Sequence, residues 1–166
     1  MDEPLIEAFR YNKWANLHLL NVCAKLTEEH LELTAPGTYG TIYATFLHLL
    51  SAEQRYLRRL AGRKPEIDER APAPSLAVLR EHAVRSGDSL IEAARRVRPD
   101  QTVDEERDGR PMRLGLVVVL VQAMHHGNDH RTHICTILGH HGLTYGDMDV
   151  WSYGEATGAM APIEAT

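Results

Sequence analysis

Cysteine is scarce in this chain of 166 residues: Cys23 and Cys135 are the only two, and they form no Cys-x-x-Cys or zinc-ribbon spacing. Two thiols are too few for the disulfide framework of a secreted protein, so a reducing, cytoplasmic setting is expected. Long apolar runs are missing as well. The longest, Leu116 to Val121, falls far short of the roughly 20 residues that a membrane-spanning helix needs. The opening Met1-Asp2-Glu3-Pro4 is acidic, and the amphipathic sequence behind it lacks the apolar core of a signal peptide.

Excess positive charge is also absent. Acidic residues number 23 against 18 basic ones, a net charge of −5, so no nucleic acid and no anionic membrane is expected as a partner. Lysine is rare beside arginine, three against fifteen. The clusters Arg55, Arg58, Arg59, Arg63 and Arg95, Arg96, Arg98 fall near the ends of expected helices, where cations meet the C-terminal dipole. Nor is there a glycine-rich phosphate loop, a Glu-x-x-His pair or a His-Glu-x-x-His motif. In His126-Gly127-Asn128-Asp129-His130 the position of a metalloprotease's glutamate is held by Gly127.

What is present is an ordinary globular composition, 43% hydrophobic and 25% charged, in a chain of single-domain size. One domain over residues 1–166 is expected, with a weakly ordered tail at 156–166. Apolar residues recur with helical period from Pro4 to about residue 26. A second helix is expected from a Thr41 cap to Leu60, ended by Gly62, and a third from a Ser75 cap until Pro99 forbids it. The three-proline stretch 62–74 reads as a simple connection. Asp108-Gly109 signals a hairpin turn, and the longest helix should follow from Leu114 to His141. Asp147 or Asp149 can cap a short fifth helix around Val150 to Glu155. The fold class is therefore all-α: an up-and-down four-helix bundle with a small hairpin before the last long helix and a short helix near the C-terminus.

Histidine is the one residue in excess. Of ten, six (His125, His126, His130, His133, His140, His141) lie within seventeen residues. On a helix His126, His130 and His133 point at about 0°, 40° and 340°, a single stripe. Imidazoles four residues apart can converge on one ion, so His126 and His130 are the candidate pair for a metal. His125 points away from them, and His140 and His141 suit a helix C-terminus without a ligand role. A third ligand must come from another helix, and His18, His30, His48 and His82 are the candidates.

Several segments resemble the DinB/YfiT-like family of bacterial four-helix-bundle metalloproteins: Tyr11-Asn12-Lys13-Trp14-Ala15-Asn16, Gly40-Thr41-Ile42 with Phe46 to Glu53, His126 to Arg131, and Asp149-Val150-Trp151-Ser152-Tyr153. The resemblance implies His48, His126 and His130 as metal ligands. His133 stands where the family commonly has glutamine, and is expected to support a ligand by hydrogen bonding rather than to add a fourth donor. The resemblance also implies a homodimer and a zinc or nickel ion that activates a low-molecular-weight bacterial thiol for transfer to a small electrophilic substrate. Metal-dependent hydrolysis of a small ester or amide, and a non-catalytic metal-binding scaffold or sensor, are the alternatives. Which residues act as catalysts beyond the metal ligands is not indicated. Cys135 points about 180° from His126 and is no candidate.

Overall fold

A computed structural model describes residues 3–163. Four long helices carry the core: α1 (Glu3–Cys23), α3 (Ile42–Ala61), α4 (Leu76–Arg96) and α5 (Leu116–His140). A single-turn helix α2 (Glu28–Leu31) follows α1. An antiparallel hairpin of β1 (Thr102–Arg107) and β2 (Arg110–Gly115) precedes α5, and α6 (Val150–Thr157) comes last. The bundle, the hairpin and the short C-terminal helix are those the sequence led us to expect.

Local chemistry sets most boundaries. The side chains of Thr41, Ser75 and Asp149 each accept a hydrogen bond from a backbone N–H in the first turn of α3, α4 and α6. Gly62 ends α3 with φ 66°, the left-handed conformation that glycine adopts without cost. Asp108 and Gly109 have φ of 52° and 72°, so the hairpin closes through the two-residue turn whose twist matches its strands. Several boundaries differ from expectation, among them the end of α1, at Cys23 rather than about residue 26. Helix α5 starts at Leu116 rather than Leu114, because Leu114 and Gly115 pair with Val103 and Thr102 in the hairpin. Helix α2, capped by Thr27, was not foreseen, since four residues leave no period to read. Helix α6 extends to Thr157, into the stretch expected as tail, while residues 1, 2 and 164–166 lie outside the described residues.

The core has two apolar clusters. One joins Leu19, Leu20, Ile42, Phe46, Leu49, Leu50, Leu79, Ala83, Ile134 and Ile137; the other joins Ile6, Phe9, Leu57, Leu90, Ala94, Leu120 and Ala123. These memberships fix the helix directions. The start of α3 shares a cluster with the start of α4, and their ends share the other, so α3 and α4 run parallel. An up-and-down order has consecutive helices antiparallel, so this pair departs from the order expected from sequence while the four-helix bundle itself holds. The connection 62–75 must therefore climb back along α3, and the structure shows it pinned there. The Glu66 and Ile67 N–H groups donate to Gln54 Oε1 at 2.7 and 2.9 Å, Ile67 is buried, and the Tyr43 hydroxyl donates to the Pro74 carbonyl at 2.5 Å.

Between the clusters lies a buried polar layer to which all four long helices contribute. Glu53 is fully buried; its Oε1 accepts from Asn12 Nδ2 and Asn16 Nδ2, both at 2.9 Å, and its Oε2 accepts from the Ser86 hydroxyl at 2.5 Å. The Arg131 guanidinium donates to Asn12 Oδ1 and Asn16 Oδ1, both at 2.7 Å, and to Asn128. Each asparagine thus bridges a carboxylate and a guanidinium, amide nitrogen to one and amide oxygen to the other. Burying two opposite charges is tolerable only with this degree of hydrogen bonding. Burial pushes the Glu53 carboxyl up, and the hydrogen bonds from Ser86, Asn12 and Asn16 oppose that.

The layer also explains Gly127. A Cβ there would stand 2.6 Å from Asn12 Oδ1 and 3.0 Å from an Arg131 guanidinium nitrogen. Glycine is what lets α5 approach α1 at the level of the histidines. Helix α6 packs on α1 through Tyr153, whose ring meets Tyr11 and Trp14 edge-on and whose hydroxyl donates to Glu7.

Candidate metal centre

Helix α3 presents His48 and the antiparallel α5 presents His126 and His130, at the level of the buried polar layer. Nε2 of His48 and Nε2 of His126 are 3.3 Å apart. One donor nitrogen from each of His48, His126 and His130 lies within 4.8 Å of the others, and this is the one such group of three or more metal-binding side chains among the described residues.

The donor set fits a divalent ion. Two nitrogens at about 2.0 to 2.1 Å from a tetrahedral centre are about 3.3 to 3.4 Å apart, which is the spacing the His48 and His126 nitrogens have. Imidazole lone pairs at this distance repel unless a proton or a cation lies between them. Burial pushes His126 down to about 4, with His130, His48 and Arg55 adding to the shift, and burial with His48 and His133 pushes His130 down to about 4. Both rings are therefore neutral at pH 7, the state a metal requires of them. The Nδ1 atoms of His130 and His133 are buried without a hydrogen-bond partner among the described residues.

Aromatic side chains wall the group. Tyr39 stacks on His48 with centroids 4.3 Å apart and meets His130 edge-on at 5.0 Å. Tyr56 meets His126 edge-on at 5.7 Å. Tyr56 also lines a cleft of about 500 Å³ with Arg55, Arg59, Leu114, Val118 and Gln122, between α3, the hairpin and α5. On the far side of His48, Nδ1 lies 3.3 Å from Glu69 Oε2.

The other histidines are accounted for elsewhere. His18 Nε2 lies 3.2 Å from the Tyr145 carbonyl, and His82 Nδ1 lies near Gln54 Nε2 and an Arg85 nitrogen at 3.1 and 2.9 Å. His30 sits on α2, His125 and the last α5 residue His140 are exposed, and His141 Nε2 lies 2.9 Å from the Thr34 carbonyl. His133 stands beside His130, ring centroids 5.4 Å apart and edge-on, outside the donor group. Cys135 Sγ faces Met148 Sδ at 3.6 Å, away from the histidines. Tyr39, Tyr56 and Glu69 were not expected from sequence. Tyr39 lies next to the Gly40-Thr41 helix start, and that position is the one signal that could have pointed to it.

The DinB family model matches residues 1–164. The chain belongs to the DinB family. Among solved structures it is similar to a DinB-like protein from Bacillus cereus ATCC 10987, with a TM-score of 0.66 and 23% identity over 87% of this chain and 95% of that one. At that identity the likeness speaks for the fold. No curated protein matches the chain. DinB membership and a three-histidine group are together compatible with metal binding.

Proposed function

We propose that His48, His126 and His130 hold one divalent ion, zinc or nickel, and that the protein is a metal-dependent enzyme joining a small thiol to an electrophilic substrate. The observation that carries the reading is the 3.3 Å separation of the His48 and His126 Nε2 atoms, with a His130 nitrogen close to both. Three neutral imidazoles leave a bound ion its full charge and an open position, which lowers the pKa of a thiol or water brought to it.

The chain's own residues do the rest. His126 and His130 stay unprotonated because burial holds them near 4. Tyr39 and Tyr56 keep water from the faces of the imidazoles, and the cleft past Tyr56 gives a small electrophile a seat beside His126. His133 packs edge-on against His130 from the next turn of α5, and no hydrogen bond joins the two among the described residues. A reducing cytoplasm suits the reading, since Cys23 and Cys135 are both free thiols. No helix among the described residues is long and apolar enough to cross a membrane. A homodimer is part of the proposal, and it rests on the family resemblance.

The test is turnover by metal-loaded protein with a panel of bacterial thiols and a model electrophile such as a chlorinated nitrobenzene. Thiol-dependent product that disappears in His48→Ala is expected. Turnover at the wild-type rate in that variant would refute the assignment, and turnover of an ester without thiol would move the reaction to hydrolysis.

A further inference from the structure

The returning connection between α3 and α4 brings one carboxylate to the rim of the histidine group. Glu69 uses both of its oxygens. Oε2 lies 3.3 Å from His48 Nδ1, and Oε1 accepts from an Arg55 guanidinium nitrogen at 2.7 Å. That same guanidinium nitrogen donates to the Ser51 hydroxyl at 2.5 Å, so the carboxylate is held by side chains one and two turns along α3 from His48 itself. The backbone around it is fixed too. Glu66 and Ile67 are tied to Gln54, Asp68 Oδ1 accepts from the Arg70 N–H at 2.9 Å, and Pro74 is tied to Tyr43.

An ionised carboxylate only accepts hydrogen bonds. The imidazole nitrogen facing it must therefore carry a proton, and in the neutral ring the remaining nitrogen of His48 keeps its lone pair. That remaining nitrogen is Nε2, the atom 3.3 Å from His126. Tyr39, stacked on the ring, resists its rotation about χ2. Among the described residues no carboxylate is hydrogen-bonded to His126 or His130 in this way, and His130 Nδ1 has no partner at all. The three imidazoles are thus not equivalent.

We propose that Glu69 is a positioning residue: it fixes His48 as the Nδ1–H tautomer and aims Nε2 into the histidine group, which makes the connecting loop a working part of the site. The proposal rests on the metal reading for its purpose but not for its geometry. In zinc enzymes, loss of such a carboxylate or carbonyl partner costs roughly 10- to 100-fold in metal affinity.

The experiment uses the full chain and the variants Glu69→Ala and Glu69→Gln, with two readouts. Nitrogen-15 NMR of the metal-free protein reports the His48 tautomer, and competition with a chromophoric chelator reports the zinc dissociation constant. In wild type His48 is expected as Nδ1–H. In Glu69→Ala the tautomer becomes mixed and zinc binding weakens by roughly 10- to 100-fold. Glu69→Gln retains an acceptor oxygen, so it should restore the tautomer and recover part of the affinity. A role confined to pairing with Arg55 would leave the tautomer unchanged in both variants, and that result overturns the proposal. So does wild-type zinc affinity in Glu69→Ala. A wild-type protein that binds no zinc defeats the metal reading instead, while the tautomer measurement still decides the role of Glu69.

Discussion

Replacing Gly127 by alanine sets two effects of opposite sign against each other. Gly127 lies in the interior of α5, where alanine is favoured over glycine by about 0.8 to 1.0 kcal/mol from helix propensity alone. The added Cβ would meet Asn12 Oδ1 at 2.6 Å, closer than real Cβ contacts come, and an Arg131 nitrogen at 3.0 Å, tighter than most. The clash can be relieved by moving α5 away from α1, at the typical overpacking cost of about 1 to 3 kcal/mol. It can also be relieved by turning Asn12 aside. That breaks a hydrogen bond to the buried guanidinium, a bond of a class worth about 1.5 to 3 kcal/mol. Set against the propensity gain, either cost leaves a net loss of up to about 2 kcal/mol, or a fall in Tm of up to about 8 °C for a chain of this size. Thermal and urea unfolding of the metal-free protein measure it. Gly139→Ala is the control on the same helix, because a Cβ there meets nothing closer than Tyr145 at 3.9 Å; it should be neutral or stabilising. A Gly127→Ala protein more stable than wild type by the full propensity gain of about 0.8 to 1.0 kcal/mol would refute the close approach of α5 to α1.

Removing one charge from the polar layer should cost more. Arg131→Met leaves the Glu53 carboxylate buried without its counter-charge and should destabilise by about 3 to 5 kcal/mol in urea titrations, whereas a loss under 1 kcal/mol would mean the layer is solvated. The stability of the metal-free protein should depend on pH in one direction. His126 and His130 titrate near 4 when folded against 6.5 for an unperturbed histidine, so the unfolded chain binds more protons between these values. Stability should be at its plateau above about pH 6.5 and fall as the pH drops toward 4; a curve flat over that window contradicts the burial of these rings. Burial raises the thiols of Cys23 and Cys135 to about 12 and about 11, so native protein at pH 8 should resist iodoacetamide and unfolded protein should take two adducts by mass. Rapid native alkylation of Cys135 would show that its contact with Met148 is open.

The legible parts of the fold were those written in local chemistry. The caps at Thr41, Ser75 and Asp149, the stop at Gly62 and the turn at Asp108-Gly109 each satisfy orphan backbone groups within a few residues, so sequence alone announces them. The direction of α4 is a different kind of fact. It depends on the path of residues 62–75, which is decided by contacts with Gln54 and Tyr43 on α3, far away in sequence. Glu69 was illegible for the same reason, since no spacing ties it to His48. The His126 and His130 pair was visible as a helical period, while among the candidates His18, His30, His48 and His82 spacing offered no choice. The family resemblance pointed to His48, and the antiparallel packing of α3 on α5 brings its Nε2 to His126. Gly127 read from sequence only as a missing glutamate; its reason lies in Asn12, on another helix.

The central claim is one divalent ion held by His48, His126 and His130. X-ray absorption together with elemental analysis, on protein purified without an affinity tag and dialysed against zinc or nickel, tests it most directly. The account predicts one ion per chain, three imidazole nitrogens at about 2.0 to 2.1 Å, and loss of the ion in each of His48→Ala, His126→Ala and His130→Ala. Folded wild type that takes up no ion, or a His48→Ala protein that keeps a full equivalent, would contradict it.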